Sequence, residues 1–331
     1  MLPLSLRGIT PAAPDWCERV SKRVEVAAGI IFREDGAFLL GRRAPGAFYA
    51  GYWEFPGGKV EAGEDAAGAL VRELDEELGI RARRVEPWIV RRHDYEHACV
   101  TLRFFRVTAW EGEVNDHVHD ALAWQFPGRC EVLPMLPANG PVLKALSLPS
   151  FMGITHAGEI GVQEQLRRIE RALDDGLRLI QLREPALSSE VLLDFAREVV
   201  WLAHARGAIV VVNGNAAVAR AAGADGVHLR SADLAAAQQR PDFDWVGASC
   251  HDRAELERAA ELGLDYALLG PVKPTQTHPG VTGIGWQRFA ELAGDLPLPV
   301  LGLGGLSVAE IAEARECGAH GIASIRSAWP A

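Results

Sequence analysis

Glu73, Glu76 and Glu77 stand within one short stretch of the chain. On a helix advancing 100° per residue they fall in a sector of roughly 100°, while Ala67, Leu70, Val71, Leu74 and Leu78 fill the neighbouring sector and must face a core. Like charges at i, i+3 and i, i+4 repel by a few tenths of a kcal/mol each. The cluster is therefore either a solvated acidic face or a site that expects a cation. Donors that are all oxygen select a hard ion, Mg2+ or Mn2+, which keeps water and bridges to substrate phosphates.

The elements that must position these acids can be read outward from them. The helix spans about Asp65 to Leu78, and Gly79 closes it as a left-handed cap. Ahead of it lies GYWEFPGGKVEAGED, where Gly57 and Gly58 let the backbone approach an ion closely. VEVAAGIIF and AFLLGRR, on either side of a reversal at Arg33 to Gly36, predict a hairpin of a mixed sheet. Strands follow near Val85 to Arg92, Val100 to Trp110 and Ala121 to Gln125, then a helix near Asn139 to Leu146. Residues 23–146 thus form an α+β domain, preceded by a proline-containing leader over 1–22 that is expected to be poorly ordered. SLPS at 147–150 reads as a linker. From 151 to 331 the pattern changes to β-rich runs, each trailed by a helical stretch: FMGITH, RLIQLR, AIVVVN, GVHL, WVGASC, YALLG, PVLGLGG and GIASI. Parallel strands in such a series predict a compact α/β (βα)8 barrel.

Composition narrows the partners. A 331-residue chain that is 48% hydrophobic and 24% charged can bury two cores. Its formal charge of -10 disfavours nucleic-acid polymers and anionic membranes, both of which select basic surfaces. No apolar run reaches the length of a membrane span and no signal segment opens the chain, so the sequence reads as cytoplasmic. The five cysteines are scattered and never form CxxC, which indicates neither a disulfide framework nor a zinc knuckle.

Gly58, Glu64, Arg72, Glu73, Leu74, Glu76, Glu77, Gly79 and Ile80 complete the pattern GX5EX7REUXEEXGU, with U a bulky aliphatic residue. Residues 24–146 on this basis resemble the Nudix hydrolases, most closely those of the MutT type. The resemblance implies a Nudix fold and magnesium held by the Gly57 carbonyl with Glu73, Glu76 and Glu77. It also implies that Glu64 or Glu73 positions or deprotonates the attacking water, and that Arg72 orients a carboxylate. Arg43, Phe55 and Asn139 match positions that surround the base in MutT-like proteins. The implied reaction is hydrolysis of a nucleoside triphosphate, 8-oxo-dGTP, to its monophosphate and diphosphate. An amide at Asn139 can present donor and acceptor together to the O6 and N7-H edge of oxidised guanine; a helix N-cap is the plainer role. Two positions depart from the family. His97, in YEHA, lies nearest the place of an aromatic residue against the base, and Val118 falls where a further loop Glu would ligate metal, with Asp116, His119 or Asp120 as substitutes. His117 and His119 could suggest zinc, but an HxH pair without a third ligand reads as a polar strand edge.

Across 151–331 the strand-end motifs resemble thiamine phosphate synthase and TenI proteins: Gln181 and Arg183 in QLRE, Asn213, GVHL, Asp233, Ser249, Thr275 and Thr277 in GPVKPTQT, and Gly304 and Gly305 in GLGG. The resemblance implies a phosphorylated small-molecule ligand held at the C-terminal ends of the strands. Charged groups that the synthase uses are replaced here. Its lysines are Pro185 and His278, its magnesium-binding Asp is Gly214, and a glycine after GVHL is Arg230. These losses argue against synthase activity, because diphosphate departure relies on cations. His251 lies where TenI-like proteins carry an acid/base histidine. The sequence therefore predicts a magnesium-dependent nucleotide pyrophosphohydrolase fused to a barrel without synthase activity. A bifunctional enzyme with synthase or thiazole tautomerase activity and a non-catalytic phosphate-ligand sensor are the alternatives.

Overall fold

The computed structural model describes residues 23–96, 98–275, 280 and 282–329. The expected leader, His97, Thr277 and His278 lie outside the described residues. Strands β1 (Val24–Ile31), β4 (Gly57–Lys59), β5 (Arg81–Asp94) and β6 (Cys99–Glu111) form one mixed sheet in the order β4-β1-β6-β5. β1 runs parallel to β6 and antiparallel to β4. Strands β2 (Phe38–Arg42), β3 (Trp53–Glu54) and β7 (Ala121–Gln125) form a second sheet in the order β3-β2-β7. Helices α1 (Ala66–Leu78) and α2 (Gly140–Leu146) complete this α+β unit.

The hairpin expected from β1 and β2 is corrected. The chain does reverse at 33–37, with Arg33 N–H donating to the Ala37 carbonyl at 2.8 Å, but the two strands then enter different sheets. β2 and the second half of β1 are buried without alternation, so each is apolar for a different partner, and the pattern within one strand cannot name that partner. One cysteine is also corrected: Cys99 is disulfide-bonded.

Helix α1 starts because Asp65 accepts from the Gly68 N–H at 2.7 Å, and ends because Gly79 takes φ +67° and donates back to the Asp75 and Leu74 carbonyls. Ala69, Leu70, Leu74 and Leu78 are buried against Ala27, Ile31 and Val107 of the first sheet. That packing turns Glu73, Glu76 and Glu77 away from the core.

β8 (Phe151–Ile154), β9 (Leu179–Leu182), β10 (Ile209–Asn213), β11 (Gly226–Leu229), β12 (Trp245–Cys250), β13 (Tyr266–Leu269), β14 (Val300–Leu303) and β15 (Gly321–Ser324) close into a parallel barrel as expected. Closure is made by β15 pairing with β8. Met152, Ile154, Leu179, Val211, Tyr266, Leu268 and Leu301 fill the interior. Within it His228 bonds Tyr266 Oη at 3.1 Å and Ser249 Oγ at 2.9 Å, and burial holds its pKa down at about 3.

The two units meet directly. Arg106 of β6, 4% exposed, donates to the Ala319 carbonyl at 3.1 Å and to His320 Nδ1 at 2.8 Å, with its guanidinium 4.5 Å from the Trp88 ring centroid. His320 Nε2 in turn donates to the Leu148 carbonyl at 2.7 Å. An imidazole that accepts at Nδ1 and donates at Nε2 is neutral, in keeping with burial holding its pKa far below the ordinary value. The 147–150 segment is thereby fastened to both units. No helix among the described residues is long and apolar enough to cross a membrane.

Candidate functional site

Glu73, Glu76 and Glu77 emerge from the last two turns of α1 opposite β4. Gly58 packs so closely on the Glu73 carboxylate that a Cβ there would come nearer than the 3.0 Å that real Cβ atoms respect. Gly57, at φ +138°, sits against the Ala27 carbonyl just as tightly, and its N–H donates to Glu77 Oε2 at 3.0 Å. Arg72 engages the rest of the acidic face. It pairs with Glu64 at 2.8 Å, Glu73 at 2.9 Å and Glu76 at 3.5 Å, and it also donates to the Lys59 carbonyl at 3.2 Å. The carboxylate-orienting role expected of Arg72 is the one its geometry performs.

Glu77 is the electrostatic focus. Burial pushes its pKa up to about 8; the Gly57 N–H opposes the shift, and the nearby carboxylates of Glu54 and Glu73 add to it. Glu54, on β3, is also raised by burial, against the pull of Arg43, whose Nη1 lies 2.5 Å from its carboxylate. Neither sequence motif singled out Glu54, because one acid in a two-residue strand carries no spacing signal.

This donor set fits a hard divalent cation. Every donor is oxygen, the Glu73 carboxylate lies where a Cβ on Gly58 would be, and Glu77 is a half-buried acid beside other acids. Such an acid ionises at neutral pH only when positive charge comes close. Among the described residues no group of three or more His, Cys, Asp or Glu side chains already stands arranged around a single point, since Arg72 occupies Glu64, Glu73 and Glu76.

The proposed base contacts separate. Asn139 is 2% exposed, and its Nδ2 has no hydrogen-bond partner. It stands at the N-cap position of α2, yet its side chain makes no capping bond, so the capping role is set aside. Phe55 lies in the core, with ring centroids 5.8 Å from both Phe38 and Phe104. Additional aromatic surface comes from Tyr49 and Tyr95, whose centroids are 5.5 Å apart; the Ala138 backbone bonds Tyr95, whose pKa also responds to Glu54 and Arg43. Tyr95 is two residues from the histidine that the motif comparison favoured.

The loop after β6 offers no ready replacement for the missing acid. Val118 is 54% exposed, Asp116 accepts from the His119 N–H at 2.7 Å, and Asp120 pairs with Arg42 at 2.5 Å. The HxH pair lies in a loop rather than on a strand edge. His117 Nδ1 bonds the Glu76 carbonyl at 3.1 Å, whereas the His119 ring packs on Gly41, so the two rings serve different neighbours.

At the C-terminal mouth of the barrel, a cavity of about 500 Å³ gathers Gln181, Arg183, Asn213, Ser249, His251, Thr275 and Gly304 of the expected ligand site. Pro185 and Arg230 line it too. Asp233 does not. It pairs with Arg230 Nε at 2.7 Å and Nη2 at 2.9 Å. Gly305, at φ +64°, packs behind Gly304 against the Pro274 carbonyl. His251 Nδ1 bonds Glu255 Oε2 at 3.0 Å.

Comparison with known proteins agrees with this division. A NUDIX domain matches residues 22–145, and the thiamine monophosphate synthase family (TMP-TENI) matches residues 151–328. The chain belongs to both families. A putative thiamine-phosphate synthase of Geobacter sulfurreducens is 36% identical over 52% of this chain and 83% of its own length. The CTP pyrophosphohydrolase of Escherichia coli K12 is 41% identical over 38% of this chain and 91% of its own. The crystal structure of a MutT NUDIX hydrolase from Burkholderia pseudomallei aligns with TM-score 0.35 at 29% identity, covering 37% of this chain and 97% of that one.

Proposed function

We propose that the first domain is a magnesium-dependent nucleoside triphosphate pyrophosphohydrolase, with manganese as a possible substitute. Water adds to a phosphorus of the triphosphate, the bridging P–O bond breaks, and a nucleoside monophosphate and diphosphate leave. The observation that carries this reading is the half-buried Glu77, linked to the Gly57 N–H and crowded by Glu54 and Glu73, with the Glu73 carboxylate packed against Gly58. The Gly57 carbonyl, Glu73, Glu76 and Glu77 would hold the ion. When bound, it neutralises phosphate oxygens and lowers the pKa of water. In this reading Glu64 or Glu73, both paired with Arg72, orients the nucleophile or takes its proton.

The preferred substrate in this reading is 8-oxo-dGTP, because the unpaired Asn139 amide can serve a base edge that offers both a donor and an acceptor. The 41% identity to a CTP pyrophosphohydrolase favours cytidine triphosphate as the second substrate. A panel of ordinary and oxidised nucleoside triphosphates with magnesium decides between them. Diphosphate release fastest from 8-oxo-dGTP supports the first, release fastest from CTP supports the second, and orthophosphate release rejects the hydrolase class proposed.

For the barrel, we propose a site for a phosphorylated small molecule without synthase activity. A coupled assay supplying pyrimidine and thiazole phosphates would overturn that reading by yielding thiamine phosphate. Isomerisation of the thiazole alone would instead assign acid/base work to the His251–Glu255 pair.

A further inference from the structure

The barrel mouth does not fit the magnesium that its family's synthase chemistry implies. No Asp or Glu is among the described residues that line the cavity, while Arg183 and Arg230 both are. A divalent ion there would meet positive charge and, among the described lining residues, no carboxylate, which is the reverse of what a hard cation needs.

Gly214 and Arg230 form a coupled pair. Gly214 has φ +66°, and a Cβ on it would lie 2.9 Å from Arg230 Nε and 3.1 Å from its Cδ. The arginine thus occupies the space that a side chain at 214 would take. Asp233 pins it in a two-pronged contact through Nε and Nη2. A guanidinium has five N–H donors, so this contact leaves three, and among the described residues none of the three is engaged. The Arg183 backbone N–H donates to Thr155 Oγ1 at 3.1 Å, and the positive charge of the side chain helps to hold down the pKa of the buried His228. No carboxylate among the described residues pairs with its guanidinium. Gln181, Asn213, Ser249 and Thr275 add neutral polar groups, and Ile154, Leu268, Leu303 and Ile325 add apolar wall.

We propose that the barrel mouth is a metal-independent site for a phosphate monoester with an apolar or heteroaromatic body, in which Arg230, seated over Gly214, and Arg183 provide the positive charge. This rests on the reading of the barrel as a phosphate-ligand site and specifies how that ligand is held. Guanidiniums suit a dianionic phosphate that stays bound. They are poorer partners for a departing diphosphate, which loses its metal here.

The test uses the full chain, with thiamine monophosphate and inorganic phosphate as probes, titrated by calorimetry in EDTA and again in excess magnesium. Thiamine monophosphate is expected to bind equally in both buffers and more tightly than inorganic phosphate. Arg230→Ala and Arg183→Ala should each weaken it by about tenfold or more, with nucleotide hydrolysis by the first domain unchanged as the check on folding. Gly214→Asp together with Arg230→Gly, which removes the clash and supplies a carboxylate, should make binding magnesium-dependent. Magnesium-dependent binding by the unaltered chain would overturn the inference while leaving the phosphate-site reading intact, as would unchanged affinity in both arginine variants. Failure of both probes to bind would overturn the two together.

Discussion

Two adjacent glycines should lose activity on the same substitution for different reasons. At Gly58 the atoms that a new Cβ would strike belong to the Glu73 carboxylate, the free end of a flexible side chain. Gly58→Ala can therefore be accommodated by moving that carboxylate roughly 1 Å, and a misplacement of that size in a catalytic group costs on the order of 10²-fold in rate. Stability should change by less than about 1 kcal/mol, because restricting the unfolded chain offsets part of the local adjustment. At Gly57 the obstacle is the Ala27 carbonyl, which belongs to β1 and cannot swing away, and φ is +138°. Gly57→Ala should cost about 2 kcal/mol or more through backbone strain and strand displacement, and activity should fall with it. The assay is magnesium-dependent diphosphate release, with kcat and the magnesium requirement measured beside the thermal midpoint of each variant. Gly58→Ala retaining kcat within about twofold, against the roughly 10² expected, would remove Glu73 from the working ligand set. Gly57→Ala melting with the unaltered protein would show that the close approach of β4 to β1 is not required.

Asn139→Leu should leave the thermal midpoint nearly unchanged, because the Nδ2 it removes has no partner, while discrimination among nucleobases falls by about tenfold or more. A large loss of stability would identify the amide as structural. Arg106→Ala should destabilise the protein by about 2–4 kcal/mol through lost packing and unpaired polar groups, and a double-mutant cycle with His320→Ala should show clear coupling; additivity would refute the bridge between the units. For pH, His228 and His320 are both held neutral by burial, below the ordinary histidine value of 6.5. The unfolded chain binds protons below that value that the folded chain refuses. Their stabilising contribution is thus complete above pH 6.5 and is lost as pH falls towards the folded pKa values, at up to about 1.4 kcal/mol per pH unit for each histidine. Denaturant titrations from neutral to mildly acidic pH measure this, and a flat stability profile below 6.5 would contradict it.

The acidic face of α1 was legible because its information is local. Helical spacing sets Glu73, Glu76 and Glu77 on one side, Asp65 and Gly79 mark the ends, and two glycines precede the turn; the barrel strands declared themselves for the same reason, as short apolar runs at regular intervals. Sequence spacing alone thus determined the α+β unit, the parallel barrel and the box of carboxylates. The tertiary structure decided what depends on distant segments meeting. It separated β1 from β2 into different sheets, brought the charge of Glu54 within reach of Tyr95, left Asn139 buried without a capping bond, and locked Arg106 to His320 across the two units. It also seated Arg230 in the space above Gly214. Two substitutions that read separately as losses become one exchange once the fold brings them together, because steric exclusion and charge pairing act through space and leave no periodic trace along the chain.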